Sequence, residues 1–122
     1  MTAPAVRRRV LFIEDEPAIQ TSYERFFGDR YDARFASTGA EALAQLGTDP
    51  PDVVVLDMRL PDTDGIDLLR RIRAIATAMP VVITTAYMSV EPQLRVLDLA
   101  FTDYLLKPFD LEDLRTRIDA AR

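Results

Sequence analysis

Three apolar runs without a polar interruption stand out along the chain: Val10-Leu11-Phe12-Ile13, Val53-Val54-Val55-Leu56 and Val81-Val82-Ile83. Short, mostly β-branched runs of this kind predict strands buried on both faces, as in a parallel sheet. Residues 31–37 alternate, with Ala33 and Phe35 among polar neighbours, and predict a weaker edge strand; residues 103–108 predict a fifth strand that ends on Lys107-Pro108. Between these runs the period lengthens to that of a helix. Pro17 suits a first turn, with Ile19, Tyr23, Phe26 and Phe27 following to Gly28. Thr38-Gly39-Ala40-Glu41 has the spacing of a capping box, opening a short helix through Ala42, Leu43 and Leu46 to Gly47. From about Asp64, Ile66, Leu69, Ile72 and Ile75 form one apolar stripe, with Arg70, Arg71 and Arg73 as its solvated face. Ser89 caps a fourth helix with Pro92 in its first turn and Val90, Leu94 and Leu97 inward. Asp110 opens a fifth with Leu111, Leu114 and Ile118 inward.

Five repeats of strand then helix imply a parallel sheet with helices on both faces, because each crossover must be right-handed. For 122 residues the natural solution is a flavodoxin-like (βα)5 three-layer sandwich, a five-stranded parallel sheet of order 2-1-3-4-5. One domain is expected over residues 1–122, with 1–8 as a lead-in. The crevice of such a sheet lies outside the carboxyl ends of the strands, at the switch point between the first and third. Those two strands run into Glu14-Asp15-Glu16 and into Asp57.

Composition narrows the chemistry. A net charge of -5 argues against binding a polyanion and for an acidic site that attracts a cation. Without cysteine there is no disulfide or thiolate chemistry, and nothing speaks against a reducing compartment. No apolar run approaches the roughly eighteen residues of a membrane span, and no signal-type core precedes the first strand, so a cytoplasmic protein is expected. Histidine is absent, so imidazole chemistry must come from a partner. Lys107 is the sole lysine; every other basic residue is arginine. That suggests a position needing a compact ammonium instead of a planar fork.

Taken singly, these residues have ordinary readings. Asp57 is either a site carboxylate or a cap after a strand, Glu14 and Glu16 are site or surface charges, and Thr85 satisfies a strand end. Together they do more. Carboxylates gathered at one crevice repel each other unless a cation intervenes, and hard oxygen ligands suit Mg²⁺. An ionised Asp57 is then a nucleophile fit for a phosphoryl group, with Lys107 a second cation and Thr85 a hydroxyl donor.

Residues 10–15, 53–65, 84–86 and 103–109 resemble the signature segments of the response-regulator receiver domain of two-component signalling, in the right order and spacing across essentially the whole chain. The resemblance implies that Asp57 is the phospho-acceptor. Mg²⁺ would be held by Asp15, Asp57 and the main-chain carbonyl of Arg59, with Glu14 in support. Lys107, before a cis Pro108, would pair with the phosphoryl group, Thr85 would hydrogen-bond it, and Tyr104 would turn inward as the switch aromatic. Arg59 and Tyr87 occupy positions that tune dephosphorylation, and their size implies slow loss of the phosphoryl group. The implied partner is a sensor histidine kinase or phosphotransfer protein. The implied output face is built from the fourth helix, fifth strand and fifth helix, where Leu97, Tyr104 and Arg117 are placed for a homodimer. No direct nucleic-acid contact, membrane contact or classical enzyme activity is expected. The chain departs from the family at Ala100-Phe101, where Gly-Ala is common and Phe101 is bulky. Two other readings compete. One is a receiver-like interaction module independent of phosphorylation. The other, an aspartate-nucleophile phosphohydrolase, is weakened because Asp62 of its Asp-x-Asp-Gly echo stands five residues beyond the strand end.

Overall fold

The computed structural model describes residues 7–86, 93–95 and 99–122. Five parallel strands, β1 (Arg9–Ile13), β2 (Asp32–Ala36), β3 (Val53–Asp57), β4 (Val81–Thr85) and β5 (Asp103–Leu106), pair in the order β2-β1-β3-β4-β5. The expected flavodoxin-like sheet is therefore the one observed, with the alternating strand β2 on its edge. Helices α1 (Pro17–Phe27), α2 (Gly39–Thr48) and α3 (Gly65–Ile75), and the C-terminal helix Leu111–Ala120, cover its two faces. Residues 93–95 are also helical, inside the stretch expected to form the fourth helix. Ser89, Val90, Pro92 and Leu97 of that stretch lie outside the described residues, as does Tyr87.

Alternation along each strand divides the core in two. Val10, Phe12, Val53, Val55, Val82 and Leu105 face α1 and the C-terminal helix, where Phe12 packs against Tyr23, Phe27 and Phe35 with ring centroids 5.0, 5.4 and 5.4 Å apart. Leu11, Ile13, Val54, Leu56, Val81 and Ile83 face α2 and α3 in an aliphatic cluster that also takes Leu94. Each fully buried Val, Leu, Ile or Phe contributes about 1.5–3 kcal/mol, so both layers are needed to hold a sheet of this size.

The α3 stripe differs from expectation. Leu68, Leu69 and Ile72 are buried, whereas Ile75 is 59% exposed and Ile66 only half-buried. At 3.6 residues per turn a strict spacing of three drifts, so Ile66 and Ile75 stand about 180° apart around the helix and cannot share a face. Arg73 is likewise no solvated residue. Its half-buried guanidinium donates to the carbonyls of Met79 and Ala100 at 2.6 and 2.8 Å, tying the end of α3 to the segment before β5.

Candidate functional site

The strand ends converge as the register requires. Asp57, the last residue of β3, lies opposite Thr84 of β4, and Glu14 and Asp15 follow directly on β1. Alternation sends Asp57 and Glu14 toward the aromatic side of the sheet, and Lys107, just beyond β5, reaches the same place. One ligand oxygen from each of Glu14, Asp15 and Asp57 lies within 4.8 Å of the others. Glu14 is 1% exposed and Asp57 6%. The Lys107 Nζ is 3.5 Å from Asp57 Oδ2 and 3.9 Å from Glu14 Oε1, longer than direct hydrogen bonds. The Lys107–Pro108 bond is cis, as expected. A cleft of about 440 Å³ opens here, lined by Asp15, Asp57, Arg59, Thr85 and Lys107 among others. A larger hollow of about 630 Å³ beside Met58, Arg70 and Gln93 carries no comparable cluster among the described residues.

The Lys107 ammonium faces Glu14 and Asp57, with Asp15 beside them. Both carboxyl oxygens of Glu14 are buried and neither receives a hydrogen bond. Burial first, and then the adjoining Asp57 carboxylate, push the Glu14 carboxyl up to about 9. When ionised, these three carboxyl groups form an oxygen donor set with little positive charge against it, and that chemistry suits a hard divalent cation such as Mg²⁺. The residues present fit that ion. Glu14 is thus a member of the cluster, whereas Glu16 is exposed and stands at the N-cap of α1 without a side-chain capping bond.

The loop from Met58 to Gly65 closes the cleft. The Met58 N–H donates to the Thr84 carbonyl at 3.2 Å, the Gly65 N–H to the Met58 carbonyl at 3.0 Å, and Arg59 pairs with Asp64 in an isolated antiparallel bridge. The Arg59 N–H also donates to Asp57 Oδ1 at 3.2 Å. Asp64 caps α3 by accepting from the Asp67 N–H at 2.7 Å. A Cβ at Gly65 would lie 2.5 Å from the Met58 Cα, so only glycine lets the start of α3 pass this close to the strand end.

Thr85 is buried at the tip of β4 and its carbonyl accepts from the Lys107 N–H at 2.7 Å. Tyr104 does not join this group. It lies on the aliphatic side of the sheet, half-buried, with its ring 6.4 Å from that of Phe101. The bulky Phe101 is accommodated there, with the Arg95 guanidinium 5.6 Å from its ring centroid. Arg117 pairs with Asp103 at 2.7 Å.

Two residues near the site are not legible in the sequence. Tyr23 is buried under the cluster and hydrogen-bonds Thr84; burial, then Glu14 and Asp57, raise its phenol above the usual range. Its helical spacing marks it only as core. Asp62 reaches away from the cleft to α2, a contact across 23 residues that no local pattern encodes.

Known proteins resemble this chain along nearly all of its length. The family model of the response regulator receiver domain matches residues 10–119. The response regulator MprA of Mycobacterium leprae is 37% identical over 113 residues, which cover 92% of this chain and 50% of that protein. MprA of Mycolicibacterium vanbaalenii is also 37% identical, over 92% and 49%. The chain thus spans about half the length of the curated relatives it matches. Among solved structures, the receiver domain of the Francisella response regulator 1452 superposes with a TM-score of 0.84 at 33% identity, covering 93% of this chain and 94% of that one. The chemotaxis protein CheY4 of Vibrio cholerae, 24% identical, shares the fold with a TM-score of 0.86 over 96% and 100%.

Proposed function

The chain belongs to the response regulator receiver domain family of two-component systems, and from that premise we propose that Asp57 is its phospho-acceptor, served by a Mg²⁺ held among Asp15, Asp57 and the Arg59 carbonyl. Members of this family are signalling proteins and not classical enzymes; the proposal adds that the chain catalyses its own modification. The observation that carries the reading is the three-carboxylate cluster with one facing lysine, in which the buried Glu14 has no donor.

The chemistry follows from the placement. A carboxylate oxygen of Asp57 attacks phosphorus, the bond from phosphorus to the donor nitrogen breaks, and the electron pair leaves with the imidazole of a phosphohistidine. These 122 residues hold no histidine, so the phosphohistidine lies outside them, on a sensor histidine kinase or a phosphotransfer protein. Bound Mg²⁺ would offset charge on the phosphoryl oxygens and keep Asp57 ionised. The Lys107 ammonium supplies a second positive charge from the β5 side. The Thr85 hydroxyl hydrogen-bonds the transferred group, and the space it leaves lets the Tyr104 ring turn inward against Phe101. That biases a two-state equilibrium at the face around β5, through which a partner, or a second copy of the chain, reads the signal. Arg59 stands at the mouth of the cleft, placed to slow attack by water. Among the described residues no helix is long and apolar enough to cross a membrane.

Intact-mass spectrometry after incubation with acetyl phosphate tests this reading. One added phosphoryl mass is expected in Mg²⁺, none with a chelator, and none in Asp57→Ala under either condition. No adduct on a folded wild-type protein with intact donor would favour an interaction module independent of phosphorylation.

A further inference from the structure

The first turn of α2 is capped from outside its own segment. Asp62, three residues beyond Arg59, accepts the Gly39 N–H on Oδ1 at 2.8 Å and the Ala40 N–H on Oδ2 at 3.1 Å. Thr38 accepts the next amide, that of Glu41, at 3.1 Å. The three leading N–H groups of the helix are thus satisfied by two different pieces of chain. The loop lies close against the helix start: a Cβ at Gly39 would lie 2.6 Å from the Thr63 methyl, which would have to shift, and 3.5 Å from Asp62 Oδ1. By contrast, the hydrogen bonds of the Met58, Arg59 and Gly65 amides and of the Thr63 and Asp64 side chains stay within the loop, its flanking strand and helix, or the neighbouring β4. Asp62 ties the loop to the start of α2, 23 residues away in sequence.

We propose that Asp62 is a positioning residue for the metal site, a strut that uses the α2 N-terminus as an anchor to hold the 58–65 loop, and with it the Arg59 carbonyl, in ligating position. This rests on the reading of Arg59 as a Mg²⁺ ligand given above. Groups that orient a metal ligand from behind typically change metal affinity about 10-fold or more when lost. The coupling runs both ways, because one carboxylate holds both the loop and the helix: Mg²⁺ settling on the loop alters the environment of the Gly39 and Ala40 amides.

The test is an amide-resolved NMR titration of the full chain with MgCl₂ alone, without a phosphodonor. In the wild type the Gly39 and Ala40 signals should shift with the same saturation curve as those of Asp57 and Arg59. Asp62→Ala should weaken Mg²⁺ binding about 10-fold and leave the Gly39 and Ala40 signals unmoved by the ion. Gly39→Ala, which drives Thr63 away from the helix side, should weaken it in the same sense. Asp62→Asn keeps an acceptor oxygen but loses the charge, and should stay nearer the wild type than Asp62→Ala. Thr38→Ala removes a cap of the same helix without touching the loop and should bind Mg²⁺ as the wild type does. Unchanged affinity in Asp62→Ala, or equal weakening in Thr38→Ala, would overturn the strut while leaving the metal site standing. A folded wild type that binds no Mg²⁺ would overturn the metal site itself, and the strut with it.

Discussion

The two ends of the sheet carry the same kind of residue in opposite circumstances. At the amino end, Asp32, Asp49 and Asp52 meet two arginines. Arg9 donates to both oxygens of Asp49 at 2.6 and 2.7 Å, Arg34 donates to Asp49 as well, and the Arg9 N–H donates to Asp52 at 2.8 Å. At the carboxyl end, Glu14, Asp15 and Asp57 lie together, and the Lys107 ammonium stands 3.5 Å from Asp57 and 3.9 Å from Glu14. The first cluster is exposed and complete, so it only closes the sheet. The second is more deeply buried and short of positive charge, a cost that structure alone does not explain and that a bound cation would remove. Charge balance thus separates the two acid clusters more clearly than residue type does.

The largest expected effect comes from neutralising Glu14. Its folded carboxyl is raised from an ordinary value of 4.5 to about 9, burial being the first cause. Unfolded chains lose this proton near 4.5 and the folded chain keeps it to about 9. Over that window the folded state holds the extra proton, so stability falls as pH rises and is flat on either side. The loss reaches on the order of 3 kcal/mol by pH 7. In metal-free protein, Glu14→Gln should recover most of it, since a Gln side chain is neutral and its amide can donate to Asp57. Urea denaturation at pH 5 and pH 8 measures the difference. Mg²⁺ should stabilise the wild type at pH 8 and the variant much less; a Glu14→Gln chain no more stable than wild type at pH 8 without metal would show that burying Glu14 carries no such cost.

A smaller effect separates the two ends by space in place of charge. Gly65→Ala puts a Cβ 2.5 Å from backbone at Met58, which cannot give way as a side-chain tip can. The expected loss is about 2 kcal/mol, with weaker Mg²⁺ binding as the loop shifts. Gly47, near the amino end of the sheet in the last turns of α2, has nothing within 4 Å of the place a methyl group would take. Gly47→Ala should therefore gain about 0.5–1 kcal/mol through helix propensity. Thermal melts of both variants give the contrast directly; a tolerated Gly65→Ala would mean that the 58–65 loop is looser than its hydrogen bonds suggest.

What the sequence makes legible follows the same division. The buried strands appear as apolar runs, and because a parallel sheet lines up their ends, the runs alone bring Asp57, Glu14-Asp15 and Lys107 to one crevice. Periodicity carries less on amphipathic helices, where it predicts Ile75 inward although it is exposed, and Arg73 in solvent although it binds carbonyls. Long-range polar contacts are not legible at all. Asp62 to Gly39 spans 23 residues and Arg73 to Ala100 spans 27, and neither leaves a repeating mark in the chain. Burial of Glu14 is undecided by sequence for a related reason: an acid after a strand looks the same whether the next turn covers it or not.

The smallest expected effect lies at the amino end and has the opposite pH sign. The Asp49 carboxyl is held below its ordinary range, chiefly by the hydrogen bond from Arg34. A depressed carboxyl contributes stability that is present above its unfolded value and lost as pH falls through the folded one. Acid therefore weakens this end while it relieves the other. Because Arg9, Arg34 and Asp49 are all about a third exposed or more, the interaction is screened by water, and at 1 M salt the Debye length shrinks to about 3 Å. Asp49→Asn should cost less than Gly65→Ala at pH 7 and low salt, lose nearly all its effect at 1 M NaCl, and lose it progressively as pH falls below the ordinary carboxyl range. Glu14→Gln should keep its effect in 1 M NaCl, since burial of the carboxyl and not a screened surface charge is its first cause. An Asp49→Asn loss that survives salt would place a buried, structural role at the amino end, and the distinction between the two clusters would then rest on lysine and loop alone.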